Sequence, residues 1–291
     1  MGAGVKSMKR PDEIRAYVRA EYGQAARQAR DGMPSCCGTG DNRGLLHLMA
    51  AGLYQPDQTA GLPAEAVRAS FGCGNPTALA TMNSGETVLD LGSGGGLDVL
   101  LSAQRVGPAG KAYGLDMTDE MLDLARENQR KAGVTNAEFL KGDLEQIPMP
   151  DESMDIVISN CVINLSPDKD RVLAEALRVL KPGGRLAVSD IVIRGTMPRE
   201  IRHSVELWAG CVAGALEETV YVTKLRFAGF EQISLEPTRI YTAEDAREFL
   251  MGAGLNVEAL SKFVAGKFVS AFIRAVKPPR VPARGGPSSC A

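Results

Sequence analysis

The sequence predicts an α/β fold: a doubly wound, Rossmann-like parallel sheet, preceded by a helical N-terminal arm and followed by a smaller α+β C-terminal domain. Three observations lead there. From Glu86 to Ile193, short apolar runs alternate with segments of helical period. A glycine-rich turn joins the first run to the first helix in ETVLDLGSGGGLD, residues 86–98. Acids close successive runs at Asp90 and Asp116, at the carboxyl ends where doubly wound sheets bind ligands.

In chain order, Pro11–Arg30 reads as a helix with proline in its first turn and Ile14, Val18 and Tyr22 at helical spacing. Residues 31–61 are loop-rich. Pro63–Ser70 and Thr77–Met82 read as short helices, the second capped by Asn75. The strands are then Thr87–Leu91, Lys111–Leu115, Ala137–Lys141, Met154–Ser159 and Arg185–Ile193. The helices between them are Leu97–Arg105, Thr118–Lys131 and Asp168–Leu180, the last ended by KPGG. Beyond Gly195 a long helix is expected over Pro198–Leu216, carrying Cys211 near its end, and a second over Thr219–Ala228. Strands are expected at Phe230–Tyr241 and Gly266–Val276, with Thr242–Met251 helical between them. The lead, residues 1–10, and the Pro-, Gly- and Arg-rich tail, residues 279–291, read as disordered.

Composition narrows the function. With 33 basic and 35 acidic residues the net charge is −2, which points to neither a nucleic-acid nor a membrane surface. No apolar run approaches the roughly 20 residues of a membrane helix, and no secretory h-region opens the chain. Six scattered cysteines without a C-x-x-C pair suggest neither a secreted disulfide framework nor a structural zinc site. The expectation is a cytoplasmic, monomeric protein acting on a small molecule.

The turn has the spacing D-x-G-x-G-x-G and lacks the lysine of a phosphate loop. Gly92, Gly94 and Gly96 let a ligand approach bare backbone beside Ser93. A dinucleotide site or a plain tight turn could use such glycines. Asp90, however, disfavours a pyrophosphate and favours a ligand with a cationic amine. That arrangement resembles the first motif of the S-adenosylmethionine-dependent methyltransferases. Asp116 is placed to bind a ribose diol, unless it only caps a surface helix, and Met117 is placed to cover an adenine. Asp143 and the backbone N–H of Leu144 can meet the adenine amino edge, unless Asp143 is a solvated loop acid. Asn160 ends the fourth strand, where the sulfonium should lie. VLDLGSGGG, GLDMTDEML, GDLEQIP and LKPGGRL together resemble the class I methyltransferases over residues 75–195, which implies S-adenosylmethionine as cofactor and a seven-stranded sheet with one reversed strand.

No strong general base accompanies these motifs, since the only histidines, His47 and His203, fall outside the sheet core. Cysteines stand there instead. Each alone reads as a small buried hydrophobe, but jointly they suggest a soft, thiophilic acceptor. SNCVIN around Cys161, GCG around Cys73 and WAGCVAGAL around Cys211 are similar to the arsenite methyltransferases over roughly residues 20–275. The resemblance implies that Cys161 and Cys211 hold trivalent arsenic. It also implies that Cys73 and one of the Cys36–Cys37 pair, with Cys37 favoured, serve delivery and redox turnover, supported by a thiol reductant such as thioredoxin or glutathione. It divides the chain into a thiol-bearing arm (1–74), a cofactor domain (75–195), an arsenic-binding C-terminal domain (196–278) and a tail. Gly210 stands where some relatives carry an acid, and Cys290 receives no role. Two other functions fit parts of the pattern: a C- or O-methyltransferase of a small lipid or quinone, and a thiol-based metalloid-binding protein.

Overall fold

The computed structural model describes residues 10–31, 53–197, 199–202, 211–245, 247 and 265–280. Cys36, Cys37, Cys290, His47, His203 and half of the Thr242–Met251 helix expected from the sequence lie outside these residues.

Helix α1 (Pro11–Arg30) starts with proline in its first turn and a reciprocal bond pair between Arg10 and Glu13. Its apolar stripe includes Val18, Ala25, Ala26 and Ala29, and the alanines pack on Met121 and Leu124. Short helices α2 (Ala64–Arg68) and α3 (Pro76–Leu79) follow, the latter capped by the Asn75 side chain accepting from Ala78 N. The alternating core is β1 (Thr87–Leu91), α4 (Leu97–Val106), β2 (Lys111–Asp116), α5 (Asp119–Ala132), β3 (Ala137–Lys141) and β4 (Met154–Asn160). A 3-10 turn (Ile163–Leu165), α6 (Lys169–Val179) and β5 (Leu180–Ile193) complete it. Then come α7 (Arg199–Arg202), β6 (Leu216–Glu217), α8 (Glu218–Ala228), β7 (Glu231–Ile240) and β8 (Phe268–Val276).

The strands form one eight-stranded sheet in the order β3-β2-β1-β4-β5-β8-β7, with β6 pairing β5 off that path. β1 to β5 run parallel, and β8 is antiparallel to both β5 and β7. The reversed strand expected from the class I resemblance is therefore β8. The two C-terminal strands hydrogen-bond into the main sheet, so the sheet itself draws no border near residue 195. The strand order reverses between β1 and β4, which opens the crevice at their carboxyl ends. The sheet core is mostly apolar, with Leu89, Val157, Val188 and Ile273 essentially unexposed.

Three local expectations are corrected. The Pro198–Leu216 helix is cut short: Cys211 takes φ +62°, outside the helical region, and Ala215 N bonds back to Val212 O in a tight turn. Cys211 thus sits on a turn, not on a helix. KPGG does not end α6 in coil, because β5 begins at Leu180 and runs through those residues. Thr118, which the sequence suggests as the cap of α5, holds the N-cap position without a side-chain capping bond, and Asp116 Oδ1 accepts from Thr118 N at 2.8 Å instead.

Candidate active site

The glycine turn is built as its composition requires. Gly92, Gly94 and Gly96 have φ of +75°, +50° and +88°. A Cβ on Gly96 would stand 2.8 Å from the Phe139 ring, and one on Gly92 would stand 2.4 Å from Val162. The turn therefore closes against β3 and the β4 exit while its backbone faces a cavity. Gly94 N donates to Asp116 Oδ2 at 3.0 Å, tying the end of β2 to the turn.

That cavity is lined by Asp90, Ser93, Asp98, Asp116, Met117 and Asn160, with Asp143 and Leu144 on its rim and Tyr22 of α1 across it. The cofactor residues expected from the sequence are thus brought to one place; Gly96 stands behind them, supporting the turn. Asp143 is half-exposed and faces Arg19 at 3.8 Å, while Arg15 meets Glu145 at 3.4 Å, so α1 is strapped over the same rim. Exposed pairs of this kind add little stability, about 0–1 kcal/mol each.

Sequence reasoning missed Asp98 and Tyr54. Tyr54 donates to both Asp98 oxygens at 2.8 and 2.9 Å, and Asn160 Nδ2 adds a bond of 3.2 Å. Burial raises the Asp98 carboxyl to about 6, against lowering by those two bonds. Burial, followed by the nearby Asp98 and Asp116, pushes Asp90 well above the ordinary carboxylate range. Asp116 is also raised by burial, opposed by the Thr118 and Gly94 amides. Asp90 Oδ1 and Ser93 Oγ are buried without a hydrogen-bond partner. Three carboxylates around one cavity, one with an open oxygen, fit a ligand carrying positive charge and reject a pyrophosphate. S-adenosylmethionine, with its ammonium and sulfonium, meets that demand.

Behind Asn160 lies a sulfur cluster. Cys73 and Cys161 form a disulfide, bridging the turn before α3 to the end of β4. Cys211 is a free thiol whose Sγ donates to the Cys161 carbonyl at 2.6 Å. All three are buried in one apolar cluster with Ile191 and Tyr241. The sequence placed Cys161 and Cys211 together and assigned Cys73 to delivery. The structure does bring Cys211 against Cys161, and it also joins Cys73 to Cys161. Cys161, like Cys211, has φ +62°, a left-handed conformation that costs a non-glycine residue about 1–3 kcal/mol. Both sulfur-bearing residues therefore stand on strained backbone at the sheet's carboxyl edge.

Two charged groups beside the sulfurs were not singled out from sequence. Asp190 of β5 is fully buried, with one carboxylate oxygen within 4.8 Å of both the Cys73 and Cys161 sulfurs. Its Oδ2 accepts from Tyr221 at 3.2 Å and its Oδ1 has no hydrogen-bond partner. Burial raises Asp190 to about 7, with Lys169 opposing. Burial likewise lowers Lys169 to about 8. Cys211 is pushed up by burial and by Asp190, while a bond from Tyr22 and the Lys169 charge oppose the shift. An acid inside the apolar run LAVSDIVI was the available signal for Asp190, because a buried charge needs a reason.

Comparison with known proteins identifies the relatives of this chain. Residues 82–234 match the family described as "Methyltransferase domain". An arsenite methyltransferase of Halobacterium salinarum is 40% identical over 281 residues, covering 93% of this chain and 68% of that protein. The human arsenite methyltransferase is 35% identical over 246 residues, covering 80% of this chain and 61% of its own length. Among solved structures, an arsenic(III) S-adenosylmethionine methyltransferase from Chlamydomonas reinhardtii superposes with a TM-score of 0.62 at 32% identity, covering 82% of this chain and 74% of that one. The chain is a class I S-adenosylmethionine-dependent methyltransferase and belongs to the arsenite methyltransferase family.

Proposed function

We propose that this protein transfers methyl groups from S-adenosylmethionine to trivalent arsenic held by its own thiols. The observation that carries this reading is the convergence of Cys73, Cys161 and Cys211 in one buried cluster next to Asn160, a residue of the acidic cavity's lining, with Cys211 Sγ 2.6 Å from the Cys161 carbonyl. A quinone or lipid methyltransferase needs no such cluster, and a sequestering protein needs no acidic, glycine-lined cavity beside it.

When bound, S-adenosylmethionine supplies a sulfonium-activated methyl group, which passes to the arsenic lone pair and leaves S-adenosylhomocysteine. The protein's residues do the rest. Asp90, Asp98 and Asp116 supply a negative environment for the cofactor's charges; Asp116 would hold the ribose, and Met117, Asp143 and Leu144 would receive the adenine. Cys161 and Cys211 grip arsenic: each thiol proton leaves with one arsenic-bound hydroxide as water, and an As–S bond replaces As–O. Alignment and exclusion of water are then the main catalytic contributions, because no proton has to leave the nucleophile. Methylation formally oxidises arsenic by two electrons. Two thiols return it to the trivalent state by becoming a disulfide, and the Cys73–Cys161 bond is the product expected of that step. A thiol reductant of the thioredoxin or glutathione class then reopens it, and Cys37 serves delivery and relay.

The test is direct: incubate the purified protein with arsenite, S-adenosylmethionine and a dithiol, then separate the arsenic species by chromatography. Methylated arsenicals formed in proportion to enzyme are expected. Methylation of a quinone with none of arsenite would overturn the assignment.

A further inference from the structure

Asn160 was expected to touch the cofactor, yet its amide is committed to protein groups on two sides. On one side Oδ1 accepts from Cys73 N at 3.0 Å and Gly74 N at 3.2 Å, and Nδ2 donates to Gly74 O at 2.7 Å. On the other, Nδ2 reaches the Tyr54 hydroxyl at 3.1 Å and Asp98 Oδ2 at 3.2 Å. Asp98 and Asn160 both line the cofactor cavity. The next residue, Cys161, is bonded to Cys73. The Asn160–Cys161 dipeptide therefore grips the Gly72–Gly74 turn twice, once by amide and once by sulfur. The fit is close: a Cβ on Gly72 would stand 2.1 Å from Asn160 Cγ, and one on Gly74 would stand 2.5 Å from Ser189 Oγ.

We propose that Asn160 is a positioning residue that links the redox state of the Cys73–Cys161 pair to cofactor affinity. In the disulfide form the turn is tethered to β4, and Asn160 holds Tyr54 and Asp98 in the cavity wall. Reduction adds two electrons and two protons, taken from a dithiol that itself becomes a disulfide, and leaves a two-glycine turn held by hydrogen bonds alone. The freed turn must be ordered again when the cofactor binds, so the reduced form binds more weakly. Linkage is reciprocal: bound cofactor or its product makes the disulfide harder to open by the same factor. Reduction is therefore favoured once S-adenosylhomocysteine has left. The inference uses the cofactor cavity and the disulfide, not the arsenic chemistry, so it and the proposed function fail separately.

The experiment is calorimetric titration of the full chain with S-adenosylhomocysteine. One sample carries the Cys73–Cys161 disulfide, verified by peptide mass mapping. The other is reduced by a phosphine that is then removed without air. Binding to the disulfide form is expected to be at least about fivefold tighter. Saturating S-adenosylhomocysteine should lower the midpoint potential of the pair by at least about 20 mV, the same factor converted for a two-electron couple. Cys73→Ser should bind like the reduced form. In Asn160→Ala the ratio between forms should fall below about twofold. Tyr54→Phe, a milder change that leaves the Asn160 grip on the turn but removes the hydroxyl link to Asp98, should lower the ratio partway. Equal affinities in the two redox states, or an undiminished ratio in both Asn160→Ala and Tyr54→Phe, would overturn the proposal.

Discussion

The Sγ of Cys211 lies 2.6 Å from the carbonyl oxygen of Cys161, fifty residues earlier in the chain. This contact joins the turn before β6 to the exit of β4, and both residues have a left-handed backbone. Once the Cys73–Cys161 disulfide is opened, Cys161 and Cys211 are two thiols on adjoining turns, next to Asn160 of the cofactor cavity.

Cys161→Ser and Cys211→Ser should each lower methylation of arsenite by at least about a hundredfold, as expected for groups that align a reactant. S-adenosylhomocysteine binding by Cys211→Ser should stay within about threefold of the native protein, a modest effect of less than 1 kcal/mol. Full activity in either variant would remove the thiol-bound substrate from the mechanism.

Cys73→Ser should separate the methylation steps. Trivalent arsenic that already carries a methyl group needs fewer thiols, so turnover of arsenite should fall more than turnover of methylarsenite. Parallel rate measurements on the two substrates decide this, and equal losses would contradict the relay role of Cys73.

Cofactor affinity should depend on pH with a definite sign. Asp98 is raised to about 6, so it is neutral below that value and charged above it. A cationic ligand binds better to the charged form, and the dissociation constant of S-adenosylmethionine should rise as pH falls from 7 to 5. Asp98→Asn should bind more weakly at pH 7 and flatten that dependence. Calorimetry across the range is the check.

Lys169 and Asp190 are buried groups of opposite charge, and each opposes the shift that burial imposes on the other. Asp190→Asn removes the negative charge that offsets the buried lysine, although Lys169 Nζ still donates to Ser166 O at 2.8 Å, and should destabilise the fold by about 1–3 kcal/mol, while the double change Lys169→Met with Asp190→Asn should recover part of that loss. Denaturant unfolding of the three proteins measures it. If the double variant is no more stable than the single one, the pair is not coupled.

Gly96 and Gly133 both have positive φ, but only Gly96 is crowded. A Cβ there would meet Phe139 at 2.8 Å and Ala125 at 3.1 Å, whereas nothing lies within 4 Å at Gly133. Gly133→Ala should cost about 1 kcal/mol from backbone strain alone, and Gly96→Ala about 2–4 kcal/mol from strain and overpacking together. Thermal melting of both variants tests the difference.

Much of this molecule was legible in its residues. Alternating apolar runs and helical periods marked β1 to β5 and the helices between them, because strand and helix periods are local properties of sequence. Asp90, the glycines and Asp116 could be placed at one site for the same reason: each ends or begins such an element. Cys161 could be placed at the exit of β4, and the cysteine motifs pointed to the family. The tertiary structure decided what depends on turns and on distant contacts. Cys211 left its expected helix because its backbone is left-handed, which no periodicity encodes. Cys73 found Cys161 across a sequence separation of 88 residues only because β4 and the Gly72–Gly74 turn meet at the sheet edge. Tyr54, Asp98 and Asn160 became one network for that reason too, since a hydrogen bond depends on distance in space and not along the chain.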